Sequence, residues 1–294
     1  MLHSVAYAAL PCNDNSAGNS QYGVGLSLIE TARMPVNPII SYANVAKRFD
    51  GGRVVAVDNV SLGVVEGEFL AIVGGSGSGK TTLLRLANRL IEADGGSITV
   101  EGEDVRAADP ILLRRRIGYV FQSGGLFPHM SVAGNVGITP QLLGWPAQEI
   151  SARVDELLDL VRLERAAYRD RLPHELSGGQ RQRVGVARAL AAKPRIVLMD
   201  EPFGALDPLT RDALGDDYRE LHKKLGLTTV MITHDMTEAI LLADRIAVMR
   251  TGKLLAQGTP AELAKSGDDY VGELLRTPRR QADRLNEALP RGAA

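Results

Sequence analysis

The chain has 294 residues, of which 45% are hydrophobic, and its formal net charge at pH 7 is −1. This length and composition allow one large core or two modest ones. The near-zero charge gives no electrostatic reason to expect nucleic acid as a partner. Cys12 is the single cysteine, which excludes an internal disulfide framework and fits a reducing compartment. No run of eighteen apolar residues is present, so we expect no membrane-spanning helix.

The first 36 residues show no clear hydrophobic periodicity, and residues 13–20 are mostly small and polar. We therefore interpret residues 1–36 as a disordered or loosely attached extension. Residues 4–10 are mildly apolar but lack a basic flank, so a signal peptide is not expected. Met34 is an alternative start of the protein.

A glycine-rich loop lies between a predicted strand, the apolar run Phe69–Val73, and a predicted helix with leucines at helical spacing. The loop residues are Gly74, Gly75, Ser76, Gly77, Ser78, Gly79, Lys80, Thr81 and Thr82. The glycines leave backbone N–H groups free to bind a polyphosphate at the helix N-terminus, and Lys80 adds a cation for the β- and γ-phosphates. Thr81 is left to hold Mg²⁺. A flexible linker would not carry Lys-Thr at this offset between two apolar elements, so the pattern predicts a nucleotide site.

Two adjacent carboxylates, Asp200 and Glu201, follow the apolar run Ile196–Met199, which predicts another buried strand. Alone, an acidic pair before Pro202 is explained about equally well by a solvated turn. Beside a phosphate loop, the pair supplies the acidic partner that a nucleotide site needs. We predict that Asp200 binds Mg²⁺ through water and that Glu201 polarises the water that attacks the γ-phosphate.

A second glycine motif, Leu176–Gln180, precedes a segment that is predicted as a helix with an apolar face. Ser177 fits the N-cap of this helix, and the glycines expose backbone donors at its N-terminus. The motif predicts a second anion site, although the single phosphate loop of one chain binds one nucleotide. An ordinary capped helix explains the same residues, so the pattern alone leaves both interpretations open.

The combined motifs resemble the nucleotide-binding subunit of an ABC transporter, in which two such domains pair head to tail. The likeness covers roughly residues 39 to 276 and implies ATP and Mg²⁺ as cofactors. It also implies that a signature loop in each subunit closes on the nucleotide held by the other subunit. In this chain the signature loop consists of Ser177, Gly178, Gly179 and Gln180.

Four further residues match family positions one by one. Gln122 matches the residue that senses magnesium and the membrane subunit, and Asp207 matches the loop that lies across the dimer axis. His234, after the apolar run Val230–Thr233, matches the switch histidine that contacts the γ-phosphate. Phe49 matches the aromatic residue that stacks on adenine. As lone residues, Gln122 and His234 would be surface or core groups, and a core position remains the alternative for Phe49.

The resemblance and the alternation of predicted strands and helices imply an α/β fold of the P-loop NTPase type. We expect a mostly parallel central sheet, an antiparallel β subdomain and an inserted helical subdomain, all within an ATPase domain at residues 37–276. Residues 39–45 and 97–100 are predicted in the antiparallel sheet, and the helical subdomain at about residues 123–176. One face of a helix in that subdomain carries Ile150, Val154, Leu157, Leu158 and Val161. Residues 277–294 are predicted as a polar tail.

Several stretches resemble the ATPases of osmoprotectant importers for glycine betaine, choline or carnitine. They are residues 121–132, 143–145, 168–173 and 185–190. This resemblance implies a homodimer on the cytoplasmic face of a bacterial inner membrane, bound to integral permease subunits and indirectly served by an extracytoplasmic solute-binding protein. Importers of polyamines, methionine or ergothioneine are the alternatives. ABC ATPases of DNA repair or the ribosome fit less well, because the chain has neither a long coiled-coil insertion between the motifs nor a second phosphate loop.

Overall fold

The structure is a computed structural model that describes residues 37–122 and 124–288. The predicted extension 1–36, with Cys12 and Met34, lies outside the described residues. The same holds for Ser123, at the start of the predicted helical subdomain, and for residues 289–294 of the predicted tail. None of the described helices is both long and apolar enough to cross a membrane.

A four-stranded antiparallel sheet forms the first part of the described chain. Its strands are β1 (Ile40–Phe49), β2 (Val54–Val64), β4 (Gly95–Val100) and β5 (Glu103–Asp104), in the spatial order β2-β1-β4-β5. Every neighbouring pair is antiparallel. The two segments that were predicted for this sheet lie in β1 and β4, which pair directly with each other, so the antiparallel subdomain is confirmed.

A six-stranded central sheet carries the predicted site. Its strands are β3 (Phe69–Val73), β6 (Ile117–Val120), β7 (Ile196–Asp200), β8 (Thr228–Thr233), β9 (Arg245–Arg250) and β10 (Lys253–Gly258), in the order β10-β9-β3-β8-β7-β6. All neighbouring strands are parallel except β9 and β10. Every residue of β3, β7 and β8 is buried, as expected for parallel strands that are covered on both faces. The predicted mostly parallel sheet is therefore confirmed.

Ten helices surround the two sheets in the described part of the chain. They are α1 (Lys80–Ala87), α2 (Pro110–Arg116), α3 (Val132–Leu142), α4 (Ala147–Leu160), α5 (Arg165–Tyr168), α6 (Gly178–Leu190), α7 (Pro208–Leu225), α8 (Met236–Leu242), α9 (Pro260–Leu263) and α10 (Asp269–Ala288). The described residues 124–176 contain α3, α4, α5 and a 3-10 turn at Pro173–Glu175, and no strand. In α4, the side chains of Val154, Leu157 and Leu158 are buried.

Alternating residues of β3 contribute to two different cores, because successive strand side chains point to opposite faces of a sheet. Phe69, Ala71 and Val73 pack in a cluster with residues of α4, α6 and α7. Leu70 and Ile72 pack in a second cluster with residues of α1 and the antiparallel sheet. The loop after β3 is thus fixed from both faces of the central sheet.

The last described helix differs from the sequence-based expectation. The boundary predicted between residues 276 and 277 falls inside α10, which runs from Asp269 to Ala288. Val271 is fully buried, and Leu274 and Leu275 pack partly buried against the core. These contacts stabilise the first turns, and helix propagation then costs little. The described residues of the predicted tail therefore continue a helix whose end is exposed.

Candidate functional site

Four parallel strands that neighbour one another, β3, β8, β7 and β6, lead into the predicted site segments at one edge of the central sheet. β3 precedes the glycine-rich loop, β7 ends at Asp200, β8 precedes His234, and β6 ends two residues before Gln122. The carboxyl ends of parallel strands form the usual ligand crevice of an open α/β sheet. The topology thus assembles groups that are far apart in sequence.

Two glycines of the loop meet backbone so closely that no side chain fits. A Cβ at Gly74 would overlap the carbonyl oxygen of Met249, and one at Gly79 would overlap that of Ala56. Gly74, Gly77 and Gly79 also have positive φ angles of 154°, 74° and 98°, which glycine adopts at little cost. The loop is therefore a tight backbone cradle at the N-terminus of α1, as phosphate binding requires.

Lys80 lies over this cradle. Its side chain is buried, and its Nζ donates to the carbonyl oxygens of Gly74 at 2.7 Å and Gly75 at 3.0 Å. Burial lowers the pKa of Lys80, and the nearby carboxylates Glu201 and Asp200 oppose that shift. The ammonium group is thus held beside the loop, where a polyphosphate would meet it.

Asp200 and Thr81 form the predicted metal-binding pair. The Thr81 hydroxyl donates to Oδ1 of Asp200 at 3.0 Å. Oδ2 of Asp200 accepts from Arg85 at 3.2 Å and from the Tyr119 hydroxyl at 3.3 Å. No cluster of three or more His, Cys, Asp or Glu side chains that could hold a metal by itself occurs in the described ranges. This donor set fits Mg²⁺, which proteins bind through one or two oxygen ligands together with substrate phosphates.

Glu201, Gln122 and His234 meet at one carboxylate oxygen. Gln122 Nε2 donates to Oε2 of Glu201 at 3.0 Å, and His234 Nδ1 lies 3.3 Å from the same oxygen. In the described part of the chain, Oε1 of Glu201 has no hydrogen-bond partner, so it is available to accept from water. The structure thus brings the three predicted catalytic residues together.

The signature loop forms the N-terminus of α6. Ser177 caps α6, since its Oγ accepts from Gln180 N at 3.2 Å and its N–H donates to Gln180 Oε1 at 2.9 Å. Among residues 37–122 and 124–288, no hydrogen bond joins residues 177–180 to residues 74–82. Asp207 caps α7 by accepting from Thr210 N at 3.0 Å. Hydrogen bonding from the side chain and then the backbone of Thr210 lowers the pKa of the Asp207 carboxyl group.

Phe49 lies at the end of β1, with 38% of its surface exposed. The Lys47 ammonium is 5.3 Å from the centre of its ring. Phe49 pairs with Val54 of β2, two residues before Ala56, whose carbonyl packs against Gly79 of the loop. The ring is therefore on the strand pair that borders the phosphate loop, and it is not a core residue.

Sequence reasoning missed Arg85 and Tyr119, which both bond Asp200. Arg85 lies four residues after Thr81 on α1, so helical periodicity places both on one face. This spacing could have been recognised in the sequence. Tyr119 lies on β6, beside the strand that ends at Asp200, and no local pattern marks it. Burial and the charge of Asp200 raise the pKa of the Tyr119 hydroxyl to about 12, which keeps it a neutral donor.

Comparison with known proteins agrees with this geometry. The family model described as ABC transporter matches residues 57–204. The chain is 50% identical over 238 residues to the choline transport ATP-binding protein OpuBA of Bacillus subtilis, a match that covers 81% of this chain and 62% of that protein. It is 49% identical over 234 residues to the glycine betaine uptake system ATP-binding protein YehX of Escherichia coli, a match that covers 79% of this chain and 75% of that protein. The chain thus spans less than two thirds of the Bacillus relative.

Among solved structures, the chain resembles the ATP-binding cassette MJ0796, which was captured as a dimer in a post-hydrolysis state bound to ADP and Pi. The TM-score is 0.68 at 33% sequence identity, and the match covers 75% of this chain and 98% of the other. Sequence and structure therefore agree on the same assignment. This chain belongs to the ABC transporter family and has the fold of its ATP-binding cassettes.

Proposed function

We propose that this chain is the ATP-hydrolysing subunit of a bacterial importer for a small solute. The solute class that we propose is a quaternary ammonium osmoprotectant. The observation that carries the hydrolytic role is the convergence of Gln122 and His234 on Oε2 of Glu201, next to the phosphate loop. This contact orients the carboxylate and leaves Oε1 for the attacking water. A non-hydrolysing nucleotide sensor would not need this arrangement.

The residues of the crevice divide the work of phosphoryl transfer. Backbone N–H groups of the loop and the Lys80 ammonium bind the phosphates, and Thr81 and Asp200, with Gln122, would hold Mg²⁺. When bound, Mg²⁺ neutralises charge on the phosphate oxygens. Glu201 polarises the attacking water, and His234 contacts the γ-phosphate. Arg85 and Tyr119 keep the Asp200 carboxylate facing Thr81.

A head-to-tail homodimer completes each nucleotide site in this proposal. The signature loop of one chain is not bonded to its own phosphate loop in the described residues, and its α6 N-terminus offers backbone donors to an anion. The dimeric MJ0796 cassette supports pairing of two such subunits. We expect Ser177, Gly178, Gly179 and Gln180 to bind the partner's γ-phosphate, with Asp207 near the dimer axis.

The proposed contact with the permease is an open cleft of about 380 Å³ next to Gln122. It lies between β6 and helices α3 and α6, and its lining includes Phe121, Phe127, Leu142 and Arg188. Phe121 and Phe127 are 42% and 43% exposed, so apolar surface is free to bind a helix of a membrane subunit. In this proposal the chain binds the permease at the cytoplasmic face of the inner membrane, where ATP is available.

The solute assignment rests on the resemblance to osmoprotectant importers and on the two bacterial relatives named above. The solute-binding protein outside the membrane would meet the solute first, and this chain would supply energy through the permease. Polyamines, methionine and ergothioneine are the solutes to compare with glycine betaine, choline and carnitine. The net charge of −1 gives no electrostatic reason to expect nucleic acid as a partner.

The role of the phosphate loop in ATP binding is tested with the purified chain and its Lys80→Ala variant. Loss of the loop cation should weaken MgATP binding about 10- to 100-fold, as expected for one charge-assisted hydrogen bond. Lys253→Ala is the matched control, because that side chain is 63% exposed and pairs with Asp58. Equal affinity of wild type and Lys80→Ala in a fluorescent-nucleotide titration would refute the assignment of the loop.

The transport role is tested with the chain and its co-purifying permease in proteoliposomes that contain ATP. We expect uptake of a labelled quaternary ammonium solute, and no uptake with Lys80→Ala. Parallel assays with putrescine, methionine and ergothioneine decide among the solute classes. Uptake of one of these without any quaternary ammonium solute would replace the osmoprotectant assignment and leave the ATPase role intact.

A further inference from the structure

Tyr270 connects the C-terminal helix to the phosphate loop. Its hydroxyl oxygen accepts a hydrogen bond from Gly75 N at 3.1 Å, between residues 195 positions apart. Its ring lies 4.6 Å from the Arg250 guanidinium. Oδ1 of Asp268 accepts from Tyr270 N at 2.9 Å and from Val271 N at 3.0 Å, which fixes the first turn of α10. The hydroxyl is therefore presented to the loop from an anchored position.

The loop has two kinds of restraint besides its glycine packing. On one side, Lys80 donates to the carbonyls of Gly74 and Gly75. On the other side, the chain beyond β9 bonds the loop twice, through Tyr270 at Gly75 and through Gly252 N, which donates to Ser78 O at 3.1 Å. The Lys80 ammonium has three N–H donors. When it binds phosphates, it has to divide these donors between the phosphates and the two carbonyls, or release the carbonyls. On the C-terminal side, Gly252 occupies a carbonyl and Tyr270 occupies the Gly75 N–H, so these two contacts leave the other N–H groups of the loop to the phosphates.

Gly75 differs from its neighbours in the loop. A Cβ at Gly75 would meet a single group, the Tyr270 hydroxyl, at 3.7 Å, whereas Gly74 and Gly79 are packed against backbone. Gly75 is also absent from the glycines with positive φ. Neither close packing nor a positive φ therefore requires glycine at this position, and glycine has the largest conformational freedom of any residue. The Gly75 carbonyl accepts from Lys80 Nζ at 3.0 Å and from Ser78 N at 3.3 Å. The hydrogen bond from the Gly75 N–H to Tyr270 adds a restraint at this point.

We propose that Tyr270 is a positioning residue for nucleotide binding: its hydroxyl holds Gly75, and with it the phosphate loop, in the conformation that accepts phosphates. The inference rests on the proposed ATP-binding role of the loop. A loop that is ordered before binding loses less conformational entropy when the ligand arrives. Because Tyr270 would act on the loop and not on the reacting atoms, it should change affinity and not the rate of the bound complex.

The first experiment compares Tyr270→Phe with wild type in titrations with MgATP and MgADP. We expect both dissociation constants to rise by the same factor, about two- to tenfold, as for the loss of one neutral hydrogen bond. The turnover number at saturating ATP should stay unchanged. Tyr42→Phe is the matched control, because the Tyr42 hydroxyl is buried and has no hydrogen-bond partner among the described residues. It should bind both nucleotides as wild type does.

A double-mutant cycle tests whether the effect runs through Gly75. Gly75→Pro removes the N–H that Tyr270 accepts, so Tyr270→Phe should cause no further loss of affinity in that background. Amide hydrogen exchange at Gly75 is a second test of this contact, and it does not require the Gly75→Pro substitution. The Gly75 amide should exchange faster in nucleotide-free Tyr270→Phe than in wild type, and at the wild-type rate in Tyr42→Phe.

Any of three results would overturn the inference, and the last two concern the link through Gly75. One is wild-type affinity of Tyr270→Phe, with or without a lower melting temperature, which would make Tyr270 a structural residue. The second is an equal loss of affinity from Tyr270→Phe in the wild-type and Gly75→Pro backgrounds, and the third is unchanged exchange at Gly75. A wild-type chain that binds no ATP would refute the proposed function as well, so the two failures are distinguishable.

Discussion

Glu201 shows how one backbone angle separates the roles of two adjacent carboxylates. Asp200 ends β7 and accepts from Thr81. Glu201 has a φ of 47°, in the left-handed region that residues other than glycine seldom adopt. This conformation costs about 1–3 kcal/mol and is typical of functional sites. The Glu201 side chain contacts Gln122 and His234, whereas Asp200 contacts Thr81.

Phe49 is the residue whose predicted role depends most on the family resemblance, and its exposed ring allows a direct test. Phe49→Ala should weaken binding of ATP and ADP by a similar factor, equivalent to about 1–3 kcal/mol, because base stacking does not involve the phosphates. Titration of both nucleotides into the purified variant measures this.

Phe127→Ala is the control for Phe49→Ala, since Phe127 is similarly exposed but lines the cleft next to Gln122. It should bind both nucleotides as wild type does. If Phe49→Ala weakens ATP binding but leaves ADP binding unchanged, Phe49 is not the stacking platform. In that case the effect would have to arise at the γ-phosphate.

The sequence predicted those site residues that belong to short motifs, and it missed residues that reach the site across the fold. Asp200 and Glu201 follow an apolar run that could be recognised locally. Tyr119 reaches Asp200 because β6 pairs with β7 in parallel register, and Tyr270 reaches Gly75 from α10. No pattern within a few residues of either tyrosine specifies these contacts, since they depend on strand order and helix docking.

At the scale of elements, the sequence predicted whether a segment is a helix or a strand better than it predicted the residue at which the segment ends. The helical spacing of the leucines after the phosphate loop, Leu83, Leu84, Leu86 and Leu90, predicts a helix through Leu90. The helix α1 ends earlier, at Ala87, and Leu90 is 47% exposed. Arg89 has a φ of 53°, which ends the helix before Leu90. At the other end of the chain, polar composition suggested a tail, whereas the anchored first turns of α10 let the helix continue to Ala288. Both differences come from tertiary contacts and local backbone conformation.

Gln122 links two elements, since it follows β6 and stands at the entrance to the helical segment. Its side chain bonds Glu201, and its neighbour Phe121 lines the cleft proposed for the permease. Gln122→Ala should therefore keep much of the nucleotide affinity, because the phosphate loop is intact, while reducing solute-stimulated hydrolysis in the assembled transporter. The comparison is ATP turnover with and without solute in proteoliposomes.

Gln281→Ala serves as the control for Gln122→Ala, because Gln281 is exposed on the far part of α10. It should leave stimulated hydrolysis unchanged. An equal loss of turnover in the isolated Gln122→Ala subunit and in the assembled transporter would mean that Gln122 acts in catalysis alone. The proposed coupling through the cleft would then be wrong.

At the scale of the whole molecule, one chain carries two candidate anion-binding loops that share no hydrogen bond in the described residues. The phosphate loop and Glu201 lie at the strand ends, and the signature loop caps α6 without bonding the phosphate loop within the described residues. If each loop is completed by a second copy, ATP binding and dimerisation are linked. Nucleotide that binds at the shared interface then stabilises the dimer by mass action.

Glu201→Gln should trap this dimer, because it keeps the size of the side chain and removes the charge that polarises water. ATP would then bind without turnover and hold two chains together. Adding Ser177→Arg should abolish the dimer, since a bulky cation would fill the space for the partner's γ-phosphate. Size-exclusion chromatography with light scattering, with and without MgATP, measures both outcomes.

Ser177→Arg also removes the N-cap of α6, which alone costs about 0.5–2 kcal/mol, so the double variant needs a matched control. Ser131 caps α3 in the same way, accepting from Gly134 N at 3.1 Å. Glu201→Gln with Ser131→Arg should therefore lose a comparable cap and still form the ATP-dependent dimer. A Glu201→Gln chain that stays monomeric at saturating ATP, even together with its membrane subunit, would refute the composite site, because both loops would then have to function within one chain.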